Sequence, residues 1–368
     1  MHGITRAQFL TGAIATGVGA SALPANAAAP RRPFGLTYRG VGYEVADGET
    51  PYTSYNAQRM RHDLWTIRYA LWASSVSVFG DGVERLRATA ERAAQLGLHI
   101  WLQPRLGDRP ENEILEHLAE TGKAAERLRR QGARINLSVG CEFVLFVPGI
   151  VPGADALERI KNLLSGKYDR QQMQRRLDRF IRKAAAVGRS VFRGQISYAA
   201  AQDDHVDWRL FDIVSIDYYG YFNRHADYVR DLRQYRRFGK PVTIAECGSC
   251  TYKGAPQLGG MAWDAVDYNK DPQEVKRGLV RSEQTQARYI ATMLSIFESM
   301  GFYSATVYEF ITPDAPHLSQ GRYDLDIASY GIVKPIWKSA TNPGPQWHWE
   351  PKAAFMAIAK HYAQARWR

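Results

Sequence analysis

Short apolar runs alternate along the chain with longer segments in which apolar residues recur at helical spacing. The clearest helical stripe is formed by Met60, Leu64, Ile67 and Leu71. The short runs are rich in Val, Ile and aromatic residues and are bounded by Gly or Pro, which is typical of strands. The pattern predicts eight strands, at 40–45, 75–79, 99–102, 135–139, 194–198, 211–216, 241–245 and 302–310.

Helical segments follow these strands in regular alternation. We predict helices at 55–72, 82–96 with Asp81 as its cap, 111–130, 171–187, 227–235, 284–300 and 350–362. Alternation of this kind places strands parallel in one sheet, and eight repeats close the sheet. The pattern therefore predicts an α/β fold, a single (β/α)8 TIM barrel over 34–368. A doubly wound open sheet is the rival fold, but no Gly-x-Gly-x-x-Gly follows the first strand.

The first 27 residues have the pattern of an export signal. Arg6 precedes an apolar stretch at 9–23, and Ala25-Asn26-Ala27 supplies small residues for cleavage. We expect a signal peptide at 1–27, a linker at 28–33, and a periplasmic or extracellular mature protein without a membrane span. The segment 5–10 resembles the twin-arginine motif, although Ala7 replaces the second Arg. The route is therefore Sec or a degenerate twin-arginine signal.

Composition and charge narrow the class and the partners. Of 368 residues, 45% are hydrophobic and 23% are charged, which indicates an ordinary globular protein rather than a disordered or coiled-coil chain. The net charge of +11 favours anionic partners, such as an anionic envelope polymer. The densest basic stretch, 159–193, is either a solvated helix face or a surface that adheres to an anionic envelope polymer. Nucleic acid is not expected, because an exported chain without a nucleic-acid motif gives no reason for it.

Cysteine and histidine usage excludes other chemistries. Three cysteines form no disulfide framework, and Cys247 and Cys250 are either a local disulfide or two inert thiols. The nine histidines are scattered, and none pairs with Cys or His at zinc spacing. We therefore predict no metal and no cofactor.

Acidic residues lie at or just past most predicted strand ends. Glu142 and Glu246 differ from the rest because each directly ends an apolar run, on strands four and seven, which face each other across a barrel. Two carboxyl groups so placed can cleave a glycosidic bond, one as acid and one as nucleophile. Alternatively, either one caps a helix or forms an ion pair. Most of the other acidic residues at strand ends are expected to be ordinary polar rim; the set comprises Glu44, Asp81, Asp108, Asp203, Asp204, Asp217 and Glu309.

Three segments resemble glycoside-hydrolase clan A. They are Ser138-Val139-Gly140-Cys141-Glu142-Phe143, Lys240-Pro241-Val242-Thr243-Ile244-Ala245-Glu246-Cys247-Gly248, and Phe211-Asp212-Ile213-Val214-Ser215-Ile216-Asp217-Tyr218-Tyr219. The resemblance implies that Glu142 is the acid/base, that Glu246 is the nucleophile and that the Tyr219 hydroxyl contacts it. The clan usually has Asn before the acid/base, where this chain has Cys141. A thiol is a weak donor, so this difference weakens a cellulase or mannanase assignment. The segment 246–264 is also similar to bacterial proteins labelled abortive-infection proteins.

Flat sugar rings stack on aromatic side chains, so aromatic residues near the strand ends are candidate binding residues. The candidate substrate-binding residues are Tyr43, Trp101, Arg105, Cys141, Tyr198, Asp217, Trp263 and Tyr308. Each aromatic could instead fill the barrel, and Arg105 could instead form a surface ion pair. The leading hypothesis is an exported retaining glycoside hydrolase with a carbohydrate substrate. The alternatives are a catalytically inactive glycan-binding barrel and a barrel enzyme of another class, such as a lyase or a metal-dependent hydrolase.

Overall fold

The computed structural model describes residues 35–202 and 204–364. The predicted signal peptide, the linker, Phe34, Asp203 and residues 365–368 lie outside the described residues. The strands of the described chain are β1 Tyr38–Glu44, β2 Ser75–Gly80, β3 His99–Pro104, β4 Ile135–Cys141, β5 Ile196–Ala201, β6 Val214–Asp217, β7 Val242–Cys247, β8 Val266–Asp267, β9 Glu274–Val275, β10 Ser304–Val307, β11 Val333–Ile336 and β12 His348–Pro351.

Eight of these strands close into one parallel barrel in the order β1-β10-β7-β6-β5-β4-β3-β2. The strand β1 closes the barrel, since its Val41 lies opposite both Val76 of β2 and Val307 of β10. The predicted (β/α)8 barrel is therefore confirmed. The other four strands form two short antiparallel pairs, β8 with β9 and β11 with β12, outside the barrel.

The helices surround the barrel strands. They are α1 Ala57–Tyr69, α2 Val83–Gln95, α3 Glu111–Arg130, α4 Phe143–Phe146, α5 Ala156–Leu164, α6 Arg170–Val191, α7 His225–Arg233, α8 Ala255–Leu258, α9 Glu283–Ser299 and α10 Ala353–Gln364. None of the described helices combines the length and the apolar character that a membrane span needs.

The predicted starts of two helices are wrong. Asp81 does not cap α2, because the residue before the helix is Gly82 and no side chain caps it. Asp81 instead lies 3.7 Å from the Arg85 guanidinium. The last helix begins at Ala353 rather than at residue 350, because 348–351 pairs with β11 as a strand.

The loop predicted at 247–281 covers one side of the barrel mouth. It contains α8, β8 and β9, and it encloses a second apolar cluster that includes Tyr219, Cys250, Tyr252 and Tyr330. Cys141, Cys247 and Cys250 are all free and buried. The Cys247 thiol faces the Thr306 carbonyl at 3.5 Å, and the Cys250 thiol faces the Ala328 carbonyl at 3.0 Å. The sequence left two predictions open, a local disulfide between Cys247 and Cys250 or two separate thiols, and the structure shows two separate buried thiols.

The amino end of the barrel is filled by stacked rings. Tyr38 at the start of β1 stacks on His99 at the start of β3, with ring centroids 3.8 Å apart. Tyr303 and Trp101 meet the His99 ring edge-on at 6.2 and 6.0 Å. These side chains close the barrel at the end opposite to the carboxyl ends of the strands, where reactive residues are expected.

Candidate active site

Glu246 is the central carboxylate at the carboxyl end of the barrel. It is the penultimate residue of β7, and it is 7% exposed. The Tyr219 hydroxyl donates a hydrogen bond to its Oε2 at 2.8 Å, and the Arg105 guanidinium forms an ion pair with its Oε1. A hydrogen-bond donor and a positive charge together stabilise negative charge on this carboxylate.

Arg105 follows β3 directly and joins three strands at the mouth. Its Nη2 donates to Gln103 Oε1 at 2.8 Å and to the Cys141 sulfur at 3.4 Å, in addition to Glu246. Its guanidinium lies over the Phe79 ring, 4.2 Å from the centroid. The side chain is 12% exposed, so the alternative of a surface ion pair is wrong. Arg105 instead supplies the positive charge of a buried cluster.

Cys141 and Asp217 form the wall between β4 and β6. The Cys141 thiol faces Asp217 Oδ2 at 3.4 Å, and burial raises the pKa of this thiol. Burial, followed by the charges of Glu246 and Glu142, raises the pKa of Asp217 well above its ordinary value. Asp217 Oδ1 is buried and has no hydrogen-bond partner among the residues the structure describes. Asp217 therefore holds a proton more readily than an exposed aspartate does.

Glu142 follows β4 in a left-handed backbone conformation, with φ of 36°. Its backbone N–H donates to the Ala199 carbonyl of β5 at 2.9 Å. The next backbone N–H, of Phe143, donates to the Tyr198 hydroxyl at 2.8 Å, and that hydroxyl donates to Asp204. These bonds fix the turn that carries Glu142. Its charge contributes to the raised pKa of Asp217 and of Cys141, so its carboxylate belongs to the same cluster.

Two further carboxyl groups lie at the mouth, and the sequence alone did not distinguish them from ordinary polar residues of the barrel rim. Glu309, after β10, is 3% exposed and accepts a hydrogen bond from the Thr312 hydroxyl at 2.8 Å. Burial and the charge of Glu44 raise its pKa. The pKa of Glu44, at the end of β1, is likewise raised by burial. The sequence signal for both was only an acidic residue at or just past a strand end, which does not separate them from the other polar residues there.

Tyr308, immediately before Glu309, adds an aromatic wall. Its ring stacks on Phe79 at 5.7 Å and meets Tyr330 at 5.9 Å. The Arg105 guanidinium lies 5.9 Å from the same ring. The mouth therefore combines ionisable groups with flat aromatic surfaces, which suits a ligand that has hydroxyl groups and an apolar face.

The ligand atoms of Cys141, Asp217 and Glu246 lie within 4.8 Å of one another, which is a spacing that could hold a metal ion. Arg105 Nη2 contacts two of these three residues, Cys141 and Glu246. Its positive charge already neutralises the negative charge there and opposes a second cation. The chemistry that this arrangement favours is that of ionisable carboxyl groups, tuned by burial and by one arginine.

Of three comparisons with known proteins, the one with solved structures found proteins of similar fold. No family model matches the sequence, and no curated protein matches it. Among solved structures, a GH113 β-1,4-mannanase has 16% identity and a TM-score of 0.56, with 89% of this chain and 99% of that chain covered. The GH113 β-mannanase of Alicyclobacillus acidocaldarius has 15% identity and a TM-score of 0.55, covering 89% and 98%. A β-glucosidase has 10% identity and a TM-score of 0.55, covering 90% and 98%.

This chain shares its fold with glycoside hydrolases. At these identities the similarity concerns the barrel architecture. The resemblance of residues 246–264 to the abortive-infection proteins stays a prediction.

The structure brings six of the predicted site residues together with Glu142 at the mouth of this glycoside-hydrolase-like barrel. They are Arg105, Cys141, Asp217, Tyr219, Glu246 and Tyr308. Trp263 is half-buried beside them, packs on the cluster that contains Tyr219, and lies 6.1 Å from the Tyr268 ring.

Three other predicted sugar-binding residues lie elsewhere. Tyr43 faces α1, where its hydroxyl donates to Asp63 at 2.8 Å. Tyr198 faces the helices too, stacked on Phe143 at 4.7 Å. Trp101 is inside the barrel but near its amino end, against His99. The first two predictions fail because side chains alternate between the two faces of a strand, and the third because Trp101 lies four residues before Arg105.

Proposed function

We propose that the chain is an exported retaining glycoside hydrolase that cleaves O-glycosidic bonds in a polysaccharide or oligosaccharide. The observation that carries the proposal is the setting of Glu246, a buried carboxylate at the carboxyl end of β7, held by the Tyr219 hydroxyl and the Arg105 guanidinium. The glycosidase names of the structural neighbours support it, and so does the resemblance of the β4, β6 and β7 segments to clan A. Export rests on the pattern of residues 1–27.

In the first step, a Glu246 oxygen attacks the anomeric carbon while the bond from that carbon to the leaving oxygen breaks. Glu142 gives its proton to the leaving oxygen. In the second step, Glu142 takes a proton from water, the water oxygen bonds to the anomeric carbon, and Glu246 leaves as a carboxylate. Tyr219 and Arg105 orient Glu246 and stabilise its charge when it is released.

The remaining groups at the mouth contact the sugar. Cys141 occupies the position at which clan A usually has an amide donor, and Asp217 lies beside it with Oδ1 unpaired among the described residues. A protonated carboxyl group is a stronger donor than a thiol. Tyr308 offers a ring face to the sugar.

The test is a substitution of each glutamate, assayed on a panel of aryl glycosides that starts with the β-linked sugars named in the neighbours. Glu246→Ala should reduce turnover by at least about 10⁴-fold, because the nucleophile is gone. Added azide should restore part of the activity by attacking from the vacated side. Glu142→Gln should keep the first step on a substrate with a good leaving group and then stall, so that product appears as a burst.

The matched control is Glu116→Ala, which removes an exposed carboxylate from α3 and should leave turnover unchanged. Hydrolysis that survives unchanged in Glu246→Ala or Glu142→Gln would refute the pair. A wild-type chain that binds glycans but turns over none of the panel would indicate the alternative, a glycan-binding barrel.

A further inference from the structure

A second concave surface lies beside the candidate active site. It is an open cleft of about 400 Å³ between the segment that follows β6 and the amino-terminal half of α9. Because α9 leads back to the start of β10, its amino end is on the mouth side of the barrel. The volume is in the range of natural ligand sites. Nothing in the proposed hydrolysis uses this cleft.

One wall of the cleft is aromatic and fixed. Tyr221 and Phe222 are half-buried, and Phe222 packs edge-to-face on the buried Tyr228 at 5.1 Å. The Tyr289 hydroxyl, from α9, donates to the Gly220 carbonyl at 2.8 Å and ties this segment to the helix. Since Gly220 directly follows Tyr219, the wall is continuous with the residue that holds Glu246.

The cleft is also lined by two basic residues. Lys253 and Arg288 are exposed there, and within 35–202 and 204–364 neither side chain has a hydrogen bond or an ion pair. No Asp or Glu is among the residues that line the cleft. Two basic residues of the neighbouring segments are paired instead, Arg224 with Asp227 and Lys276 with Asp264. Unpaired cations and aromatic rings that line one concave surface are complementary to a ligand with both negative charge and flat apolar faces.

We propose that this cleft binds an acidic polysaccharide, with the face of a uronate ring on Tyr221 and Phe222 and its carboxylate between Lys253 and Arg288. A neutral sugar would leave both cations without a partner. The cleft would thus hold an acidic stretch of a glycan next to the catalytic mouth. Binding there needs neither Glu142 nor Glu246, so the proposal can be tested separately from the hydrolysis.

The test measures the dissociation constants of the full chain for an oligogalacturonate and for a neutral manno-oligosaccharide of the same length, by calorimetry. We expect the acidic oligomer to bind at least about tenfold more tightly at low salt and to weaken as salt is added. The double variant Lys253→Ala/Arg288→Ala should lose about tenfold in affinity for it, and Tyr221→Ala a similar amount. Glu246→Ala should bind like the wild type, which separates this binding from turnover.

The matched control is Arg175→Ala/Arg179→Ala, which removes the same charge from exposed positions on α6. It should change the affinity by less than about twofold, because charges on an open surface are screened. Equal affinity for the neutral oligomer, or an equal loss in the α6 control, would overturn the proposal. So would a single-stranded DNA oligomer of the same charge that binds as tightly and loses affinity in the same cleft variants, because the surface would then attract any polyanion.

Discussion

The two ends of the barrel are built by the same strands but handle charge in opposite ways. At the amino end, His99 is buried, and its pKa is lowered by burial to about 3, so the ring is neutral near pH 7. It stacks on Tyr38 and lies 3.1 Å from the Ser75 hydroxyl. At the carboxyl end, Glu246, Asp217 and Glu309 are buried around a single guanidinium.

The amino end of the barrel is packed in a way that favours stability, whereas the carboxyl end is not. A buried neutral ring contributes packing without the free-energy cost of desolvating a charge. Buried carboxyl groups incur that cost, and Arg105 compensates for only part of it. On β1 the neutral end and the charged end are separated by one strand of seven residues, Tyr38–Glu44. A cluster of buried ionisable groups that lowers stability, at one end of an otherwise neutral barrel, is typical of a functional site.

Removing Arg105 should have the largest effect. Arg105→Met leaves Glu246 without its cation in a buried setting, and breaking a buried pair in this way should lower the free energy of unfolding by about 3–5 kcal/mol. Turnover should fall by at least about a hundredfold. Urea unfolding and steady-state kinetics measure the two effects.

The control for Arg105 is Lys123→Met. Lys123 pairs with Glu120 at 2.7 Å, but both side chains are more than half exposed, at 53% and 58%. The change in the free energy of unfolding should be below about 1 kcal/mol. If Arg105→Met and Lys123→Met lower the free energy of unfolding by similar amounts, the buried ion pair at the mouth contributes no more to stability than an exposed one.

The second prediction concerns His99 and the pH dependence of stability. Because the folded-state pKa of His99 is about 3, the unfolded chain binds more protons between about pH 6.5 and pH 3. The free energy of unfolding should therefore fall as the pH is lowered through that range. His99→Phe keeps a ring against Tyr38 and removes the titration. The acid-side loss should shrink by roughly 3 kcal/mol at pH 4, measured by urea unfolding.

Phe also removes the partner of Ser75, so Ser75→Ala serves as the comparison for that loss. Ser75→Ala should shift the whole curve without changing its slope with pH. An unchanged slope in His99→Phe would show that the buried ring is not responsible for the acid-side loss.

The smallest effect is expected for Asp217→Asn, and its pH dependence has the opposite sign. The pKa of Asp217 is raised by burial and by Glu246 and Glu142, so the folded chain binds the extra proton. This contribution to stability is present below the ordinary pKa of an aspartate and is lost as the pH rises through the folded-state pKa. Asn is neutral at every pH and has nearly the same shape.

Asp217→Asn should therefore resemble the wild type at pH 4, within about 1 kcal/mol, and lose less stability between pH 4 and pH 8. Urea unfolding across that range is the measurement. Parallel wild-type and variant curves would contradict the assignment of the proton to Asp217.

The elements with strong periodicity were predictable from the sequence. The α3 helix was predicted at 111–130 and is observed at Glu111–Arg130, because its apolar positions recur at helical spacing and Gly132, in a left-handed conformation, follows its end. The strands β1 to β7 were each found within a few residues. The eighth barrel strand was predicted at 302–310 but comprises only Ser304–Val307, since an apolar run alone does not show where pairing stops.

The direction of side chains was the part that the sequence could not supply. The strands of a parallel barrel are buried on both faces, so the apolar pattern does not distinguish Tyr43, which faces α1, from Glu44, which faces the mouth. Arg105 was missed as a buried group for a related reason, because its partner Glu246 is 141 residues away in sequence. Only closure of the barrel brings these two residues together.

The left-handed turn after β4 restricts how this site can change by mutation. Glu142 has a positive φ, and a Cβ on Gly140 would lie 2.2 Å from the Phe143 ring. Only Gly, and to a lesser extent Asn and Asp, adopt positive φ with little strain. At position 142 the variants that fold best would therefore be Gly, Asn and Asp; Gly and Asn lack a carboxyl group, and the carboxyl group of Asp lies one methylene closer to the backbone than that of Glu. Selection for stability and selection for chemistry oppose each other at this residue, so persistence of Glu there in a mutational library would report on function rather than on folding.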